Sequence, residues 1–265
     1  MKKLKNKKLF LFDIDGTLAI ENTLFHGTSD LISYINQIGG NSYFITNNST
    51  KSGLDYVEKF RAWNLETEES QFITSGYMTI EYLKYHHADS KIFALGTSSF
   101  LAELRRNGLV VTEEAEENIM CVVVGFDNEL TYSKLVKACE ILSRPSVSYI
   151  ATNPDLCCPA SFGFIPDCGS ICQMLEASTG RKPLYMGKPN KEVVDLCLKQ
   201  TGFSKEEVLV VGDRLYTDIA CGIYSGVETC LVLTGEAKAA DVKDTIFKPT
   251  YCMKDVAELL NKCKV

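Results

Sequence analysis

Short apolar runs alternate with helical patterns along most of the chain. Leu9 to Phe12 and Val208 to Val211 are continuous apolar runs, which is the pattern of strands covered on both faces. Lys91 to Leu95 and Met120 to Val124 are further strand candidates, and Thr28 to Ile38 has helical spacing. Strands that alternate with helices favour βαβ units, so we predict an α/β fold with a parallel sheet and helices on both faces.

The first apolar run leads directly into two acidic residues. Asp13 and Asp15 are spaced two residues apart, and Gly16 follows them. Two carboxylates this close repel, so a cation should hold them together, and Mg²⁺ prefers such oxygen ligands. Gly16 permits a tight turn whose N–H groups can face an anion. An ordinary acidic turn is the plainer alternative, because Asp and Gly are common turn residues.

The run that ends at Val211 repeats this arrangement. Gly212 and Asp213 follow it, and Asp218 comes five residues later across a strand-to-helix turn. Helix capping by Asp213 or Thr217, with Asp218 as a favourable first-turn charge, would explain these residues without any chemistry.

Hydroxyl and amide side chains follow a third strand candidate, Tyr43 to Ile45. Thr46-Asn47-Asn48-Ser49-Thr50 suits an anion site, since hydroxyls and N–H groups bind phosphate oxygens. Ser49 or Thr50 can also cap the next predicted helix, Lys51 to Trp63, and both interpretations can hold at once.

Residues 152–169 form a long stretch with three prolines and two glycines that reads as an irregular loop. Such loops in compact domains are often functional, although a simple connection between domains explains this composition equally well.

Composition and charge restrict the classes of partner and the cellular location that we expect. The chain has 265 residues, of which 45% are hydrophobic and 23% charged, enough for two globular domains. The net charge of −6 argues against a nucleic-acid partner. The basic stretch Met1 to Lys8 reads as a solvated terminus, and no apolar run has the length of a membrane span. Without a signal peptide we expect a cytoplasmic protein with no membrane partner, whose 11 cysteines are reduced thiols.

Four segments occur in an order that resembles the motifs of the haloacid dehalogenase (HAD) superfamily. They are Asp-Ile-Asp-Gly-Thr-Leu, Thr-Asn-Asn-Ser, Gly-Lys-Pro and Gly-Asp-Arg-Leu-x-Thr-Asp. With Ala-Thr-Asn-Pro-Asp they look like subclass IIA, the branch of NagD-like and 4-nitrophenyl phosphatase-like proteins. The resemblance implies a Rossmann-like core in which all four motifs lie at the carboxyl ends of the strands, where ligands bind in open parallel sheets.

The spacing of the motifs predicts a second domain. The interval from Asp13 to Thr46 fits one strand–helix unit, whereas the interval from Thr46 to Lys188 is far longer than the core needs. The resemblance identifies this insertion as a type C2 cap. We therefore expect a catalytic core at residues 1–77 and 181–265 and an α/β cap at residues 78–180.

The resemblance also assigns the chemistry. Asp13 is the implied nucleophile, which forms an aspartyl-phosphate, and Asp15 is the general acid and then the general base. Mg²⁺ would be held by Asp13, the Asp15 backbone carbonyl and Asp213. Asp218 would support the site directly, through water, or by pairing with Lys188.

Phosphate contacts and substrate selection follow from the same resemblance. Phosphate oxygens would be bound by Thr46, Asn47, Lys188 and N–H groups near Gly16. The cap would select the leaving group, and the candidate residues for this are Asn153, Asp155, Phe162, Phe164 and Asp167. Here the chain has Pro-Asp-Cys-Gly-Ser where many relatives have Pro-Gly-x-Gly-Ser, which leaves the substrate open. The expected partner is a small phosphorylated metabolite, such as a sugar phosphate, nucleoside monophosphate or aryl phosphate, and a homodimer through the cap stays open.

Asp15 separates the activities within the superfamily. A halide leaves unprotonated, whereas a phosphate ester needs an acid for its alkoxide, so Asp15 favours a phosphatase over a dehalogenase. A mutase is possible but less expected, because sugar-phosphate mutases of this kind usually carry the cap after the first motif. The alternative from another class is a non-catalytic sensor of phosphorylated metabolites, or a partner-binding protein, on the same fold.

Overall fold

The computed structural model describes residues 4–160 and 162–265, and the chain divides into two compact units. The first unit comprises the described residues up to Thr46, together with Val57–Ile73 and Lys188–Val265. The second unit comprises Asn47–Tyr56 and Thr74–Gly187. Within the described ranges, no helix combines the length and the apolar character needed to cross a bilayer.

The strands, in chain order, are β1 (Leu9–Phe12), β2 (Ala19–Ile20), β3 (Thr23–Leu24), β4 (Asn41–Thr46), β5 (Phe72–Thr74), β6 (Lys91–Leu95), β7 (Val110–Thr112), β8 (Ile119–Val124), β9 (Ser148–Ala151), β10 (Cys157–Ala160), β11 (Gly163–Pro166), β12 (Leu184–Tyr185), β13 (Val208–Gly212), β14 (Glu228–Val232) and β15 (Tyr251–Met253). The α-helices are α1 (Thr28–Gln37), α2 (Gly53–Ala62), α3 (Ser75–His86), α4 (Ser98–Arg106), α5 (Tyr132–Leu142), α6 (Cys168–Thr179), α7 (Glu192–Thr201), α8 (Ala220–Ser225), α9 (Asp241–Asp244) and α10 (Val256–Cys263).

The first unit is built on a six-stranded sheet with the order β15-β14-β13-β1-β4-β5. Strand β1 pairs in parallel with β13 on one side and with β4 on the other, so that Leu9 lies opposite both Val208 and Asn41. All four residues of β1 are buried, as its continuous apolar run predicts. Because these three strands are parallel, their carboxyl ends meet at one edge of the sheet. This α/β architecture confirms the predicted fold class.

Aromatic side chains fill part of the core of this unit. The ring of Phe44 on β4 packs 4.5 Å from that of Phe60 and 5.0 Å from that of Phe72. Phe10 and Phe12 on β1 stack with their centroids 5.9 Å apart. Large buried rings of this kind contribute much of the hydrophobic stabilisation of a domain, which gives the sheet edge a rigid base.

The second unit has its own five-stranded sheet, in the order β12-β9-β8-β6-β7, with parallel pairing throughout. Val122 and Val124 of β8 belong to one hydrophobic cluster, which also contains residues of α5 and α6. Cys121 and Val123 belong to another, which contains residues of α3 and α4. Since alternate residues of a strand point to opposite faces, both faces of this sheet are covered. The expected boundaries of the cap, 78 and 180, and its role stay predictions.

The stretch at residues 152–169 is more regular than we expected from its composition. It contains an antiparallel hairpin of β10 and β11, in which Pro159 lies opposite Phe164 and Cys157 opposite Pro166. A two-stranded ribbon has two edges, and an edge strand tolerates a proline because its N–H is not needed for pairing.

The start of helix α2 was also predicted at the wrong residue. The helix begins at Gly53, and Ser52 rather than Ser49 or Thr50 caps it, since its hydroxyl accepts the N–H of Asp55 at 3.2 Å. The Asp55 carboxylate accepts the N–H of Ser52 in return, at 2.7 Å. The hydroxyl of Ser49 instead accepts the backbone N–H of Phe126 at 2.9 Å, a partner within the second unit that lies far away in the chain.

Several short strands were missed, and the surroundings of one lysine were predicted wrongly. Strands β5 and β15, for example, have three residues each, too few for a periodic signal. Lys7 is buried rather than solvated. Its ammonium donates to the carbonyls of Glu206 and Val208 and pairs with Glu228 at 2.9 Å, and these partners compensate its burial.

Candidate active site

Strand β1 and the turn after it place the first pair of acids. The N–H of Asp13 donates to the carbonyl of Val211 at 2.9 Å, so Asp13 still follows the sheet and its side chain is buried. The chain then turns at Gly16, whose φ is +95°. A Cβ at Gly16 would lie 2.7 Å from a carboxylate oxygen of Asp213, so both the backbone angle and the space require glycine. Asp15 is more exposed, with 27% of its side chain accessible.

Strand β13 places the second pair of acids at the same edge. A Cβ at Gly212 would lie 2.2 Å from the Cβ of Asp218, so the absence of a side chain there lets Asp218 approach the strand. Asp218 lies in a π-helical turn, Leu215–Ile219, and accepts the N–H of Arg214 at 3.0 Å. π-Helical turns are rare and are found frequently at functional sites.

Three buried carboxylates and one buried lysine meet at this edge. The oxygens of Asp13, Asp213 and Asp218 lie within 4.8 Å of one another. The ammonium of Lys188 lies 2.6 Å from Asp13 and 2.6 Å from Asp218, and it also donates to the carbonyl of Ile45 at 2.8 Å. Residues that are far apart in the chain therefore form one charged cluster.

The electrostatics of the cluster show an excess of negative charge. Burial raises the pKa of Asp13 well above its usual range, and burial with repulsion from Asp218 raises the pKa of Asp213 to about 6. Burial alone would lower the pKa of Lys188, but attraction to Asp13 and Asp218 outweighs it, and the pKa is raised. One ammonium thus compensates three buried acids only in part.

A divalent cation fits this donor set. The cluster offers carboxylate oxygens without sulfur or nitrogen ligands, which suits a hard cation such as Mg²⁺ or Ca²⁺. Its charge would also offset the repulsion between the carboxylates, which adds to burial in raising the pKa of Asp13 and Asp213. In the part of the chain that the structure describes, this is the one group of three or more His, Cys, Asp or Glu residues arranged to hold a metal.

The expected phosphate-binding residues fall in both units. Thr46 ends β4 at the carboxyl edge of the first sheet and is buried. Asn47 begins the second unit. Its side-chain amide donates to the carboxylate of Asp155 at 3.1 Å, and its backbone carbonyl accepts a hydrogen bond from the hydroxyl of Ser75 at 2.7 Å.

The five candidate specificity residues divide into two groups. Asn153, Asp155 and Asp167 are buried within the second unit. The amide of Asn153 donates to Asp167 at 3.0 Å, and Asp167 caps helix α6. Phe162 and Phe164 are 81% and 58% exposed, and Phe164 belongs to strand β11 of the hairpin.

Two side chains at the site had no assigned role in the sequence analysis. The hydroxyl of Thr17 lies 3.3 Å from Asp13 and 3.4 Å from Asp213, so it bridges the two acids. The ammonium of Lys59 lies 3.6 Å from Asp15. Thr17 belongs to the first motif, Asp-Ile-Asp-Gly-Thr-Leu, so the motif itself could have pointed to it. Lys59 lies on α2 outside every motif, and no local pattern points to it.

Known proteins share this fold and resemble the chain over nearly its whole length. The profile of the haloacid dehalogenase-like hydrolases matches residues 10–110, and a HAD-hydrolase-like profile matches residues 185–259. An acid sugar phosphatase of Staphylococcus haemolyticus is 33% identical over 253 residues, which are 96% of this chain and 95% of that protein. The chain therefore belongs to the haloacid dehalogenase-like hydrolase family.

Solved structures define the branch. The 4-nitrophenylphosphatase of Thermotoga maritima is 39% identical with a TM-score of 0.92, and the match covers 98% of both chains. NagD of Escherichia coli K-12 is 31% identical with a TM-score of 0.84, over 95% of this chain and 98% of NagD. These relatives confirm the predicted family, its NagD-like branch and the class of enzyme, a HAD-type phosphatase.

One further structure bears on the metal. A glycerol phosphate phosphatase of Mycobacterium tuberculosis was solved in complex with calcium. It is 26% identical with a TM-score of 0.88, and the match covers 97% of this chain and 76% of that one. A relative with this fold thus binds a divalent cation, in agreement with the acidic cluster described above.

Proposed function

We propose that the protein is a Mg²⁺-dependent phosphatase that hydrolyses small phosphate monoesters through an aspartyl-phosphate on Asp13. The observation that carries this proposal is the buried contact between Lys188 and Asp13 at 2.6 Å. Asp15, two residues after Asp13, is the more exposed of the two acids. The names of the relatives, acid sugar phosphatase and 4-nitrophenylphosphatase, support sugar phosphates and aryl phosphates as substrate classes. Nucleoside monophosphates stay a third expected class, which rests on the family resemblance alone.

The two acids of the first motif have different surroundings, and these fit different roles. Asp13 is buried and fixed by Lys188 and Thr17, so its oxygen is held for attack on phosphorus. Asp15 is partly exposed and can reach both a leaving oxygen and water. It protonates the leaving alkoxide and then removes a proton from the water that hydrolyses the aspartyl-phosphate.

We assign the metal to Asp13, Asp213 and the backbone carbonyl of Asp15. The 2.6 Å contact between Asp218 and Lys188 supports the role of Asp218 in pairing with the lysine, among the three roles considered. When bound, Mg²⁺ supplies positive charge that offsets the buried acids and the phosphate. Lys188 adds a second positive charge against the phosphoryl oxygens.

The remaining contacts complete the proposal. Thr46, Asn47 and the N–H groups near Gly16 bind phosphate oxygens. The second unit selects the leaving group, for which the exposed rings of Phe162 and Phe164 are the candidates, while Asn153, Asp155 and Asp167 support the loop from within. A small phosphorylated metabolite is the proposed partner, without nucleic acid or membrane. The cytoplasmic location and a homodimer through the cap stay predictions.

Phosphate release from a panel of monoesters, with Mg²⁺ or with EDTA, tests the proposal. We expect turnover only with Mg²⁺ and a loss of at least about a thousandfold in Asp13→Asn, because the nucleophile is removed. Asp30→Asn, an exposed acid on α1, is the matched control and should keep wild-type turnover. A folded protein that binds Mg²⁺ and phosphorylated metabolites but hydrolyses none of the esters would support the sensor alternative instead.

A further inference from the structure

We propose that Lys59 is a positioning residue that holds the carboxylate of Asp15 in the orientation needed for proton transfer. This inference rests on the proposed function, in which Asp15 is the general acid. The ammonium of Lys59 lies 3.6 Å from a carboxylate oxygen of Asp15, and only 11% of the Lys59 side chain is accessible. Lys59 reaches this site from helix α2, a part of the chain that carries none of the four motifs.

The ring of Trp63 restricts the position of the Lys59 ammonium. The ammonium of Lys59 lies 5.0 Å from the centre of the Trp63 ring, within the range of a cation–π interaction. Lys59 and Trp63 are four residues apart, so they lie on the same side of the helix end. Trp63 in turn packs on Phe60 of the core, with the ring centroids 5.2 Å apart. The lysine is therefore confined by a ring that is itself anchored.

The same tryptophan holds the segment that follows Asp15. The indole N–H of Trp63 donates to the carbonyl of Asn22 at 2.8 Å, at the tip of the β2–β3 hairpin. The backbone of Asp15 pairs with Ala19 at the start of this hairpin. The contacts thus close a ring that runs from Asp15 through the hairpin to Trp63, and through Lys59 back to Asp15. We call Lys59 and Trp63 the Lys59–Trp63 clamp.

The energetics favour orientation over stability as the purpose of this clamp. A partly exposed ion pair contributes little to the free energy of unfolding, while confining a lysine costs side-chain entropy. Proton transfer, in contrast, is sensitive to small displacements of the acid, because the reacting atoms must be in hydrogen-bond reach. We therefore assign to this clamp a function in catalysis, the orientation of the Asp15 carboxylate, rather than a function in stability.

The leaving group separates positioning of the acid from binding of the phosphate. 4-Nitrophenolate departs without a proton, whereas the alkoxide of an alkyl phosphate needs one. The ratio kcat/KM reports the steps up to cleavage of the ester bond and excludes the later attack of water. Loss of a positioning residue therefore lowers kcat/KM for alkyl phosphates selectively, whereas loss of a phosphate ligand lowers it for both esters.

The experiment compares kcat/KM for glycerol phosphate and 4-nitrophenyl phosphate in Mg²⁺. We expect Lys59→Met to lower the value for glycerol phosphate about ten- to hundredfold and the value for 4-nitrophenyl phosphate less than about threefold, since general acid catalysis contributes about 10²–10⁴-fold. Lys59→Arg should restore most of the loss. Arg61→Met, which removes an exposed cation from the same helix, should resemble wild type on both esters.

A second variant keeps the test independent of how well Lys59→Met folds. Trp63→Phe keeps a ring beneath the lysine but removes the N–H that holds Asn22, so it should show the same selectivity with a smaller loss. Equal losses on both esters, or no loss on either, would overturn the inference while leaving the phosphatase intact. If wild type hydrolyses neither ester in Mg²⁺, the proposed function fails and this inference falls with it.

Discussion

Lys188→Met tests how the first unit tolerates its buried acids. Methionine keeps a side chain of similar length but removes the charge that lies 2.6 Å from both Asp13 and Asp218. Without a metal, these carboxylates lose their shared partner while they stay buried beside Asp213. We expect the metal-free variant to be clearly less stable than wild type at neutral pH.

The loss of unfolding free energy is limited by protonation, because a buried carboxylate without a partner becomes neutral when it binds a proton. From an ordinary pKa of about 3.9, protonation at pH 7 costs about 4 kcal/mol. Removal of one partner of a buried pair typically costs about 3–5 kcal/mol. We therefore expect the free energy of unfolding in EDTA to fall by about 3–4 kcal/mol at pH 7.

The loss should depend on pH with a definite sign. Lys188 lowers the pKa of Asp13 against the effect of burial, so its loss raises this pKa further above the value in the unfolded chain, and acid favours the folded variant more than it favours folded wild type. At pH 5 the proton costs only about 1.5 kcal/mol, and the deficit relative to wild type should shrink to about that size. Mg²⁺ should restore part of the stability at pH 7, because its charge replaces that of the ammonium.

Urea unfolding followed by circular dichroism, at pH 7 and pH 5, with EDTA or Mg²⁺, measures these differences. Lys7→Met is the matched control, since Lys7 is also buried and pairs with Glu228 at 2.9 Å, near the amino end of β1. It should lose stability at pH 7 without recovery in Mg²⁺. A deficit below about 1 kcal/mol for Lys188→Met at pH 7 would contradict the reasoning, which rests on the cost of an unpaired buried charge. So would equal rescue of both variants by Mg²⁺.

Two further predictions concern the acids at the end of β13. Because the pKa of Asp213 is raised to about 6 and a metal binds the carboxylate form, Mg²⁺ affinity measured by calorimetry should fall about tenfold from pH 7 to pH 5. An affinity that does not change with pH would speak against Asp213 as a ligand. Gly212→Ala places a methyl group 2.2 Å from the Cβ of Asp218 and should displace this acid from the site. We expect kcat to drop at least about tenfold. Turnover at the wild-type rate would mean that Asp218 can move without loss of activity.

Local pattern was enough to predict the strands that carry the chemistry. Leu9 to Phe12 and Val208 to Val211 are apolar throughout because parallel strands are buried on both faces, and the structure has strands there. The acids follow these strands directly, so parallel pairing alone brings Asp13 and Asp213 to one edge. Where burial is two-sided and the motif adjoins the strand, the sequence is sufficient.

Elements whose stability depends on distant partners were predicted less well. The β10–β11 hairpin was hidden by its prolines, and β5 and β15 are too short for any periodic signal. Lys7 belongs to a basic stretch that looks solvated, and only the carbonyls of β13 and its flank, with Glu228, explain its burial. The hairpin strands pair with each other, whereas for β5, β15 and Lys7 a distant neighbour in the six-stranded sheet overrides the local preference.

The sequence by itself determined the fold class, the order of the motifs and the residue types of the site, because these depend on burial patterns that are local in the chain. The tertiary structure decided which charges meet. Lys188 contacts Asp13 and Asp218, and Lys59 contacts Asp15, only because sheet order and helix packing bring distant segments within a few ångströms. Electrostatic interactions fall off with distance, so the pairings that set the charge balance of this site depend on coordinates that no local pattern contains.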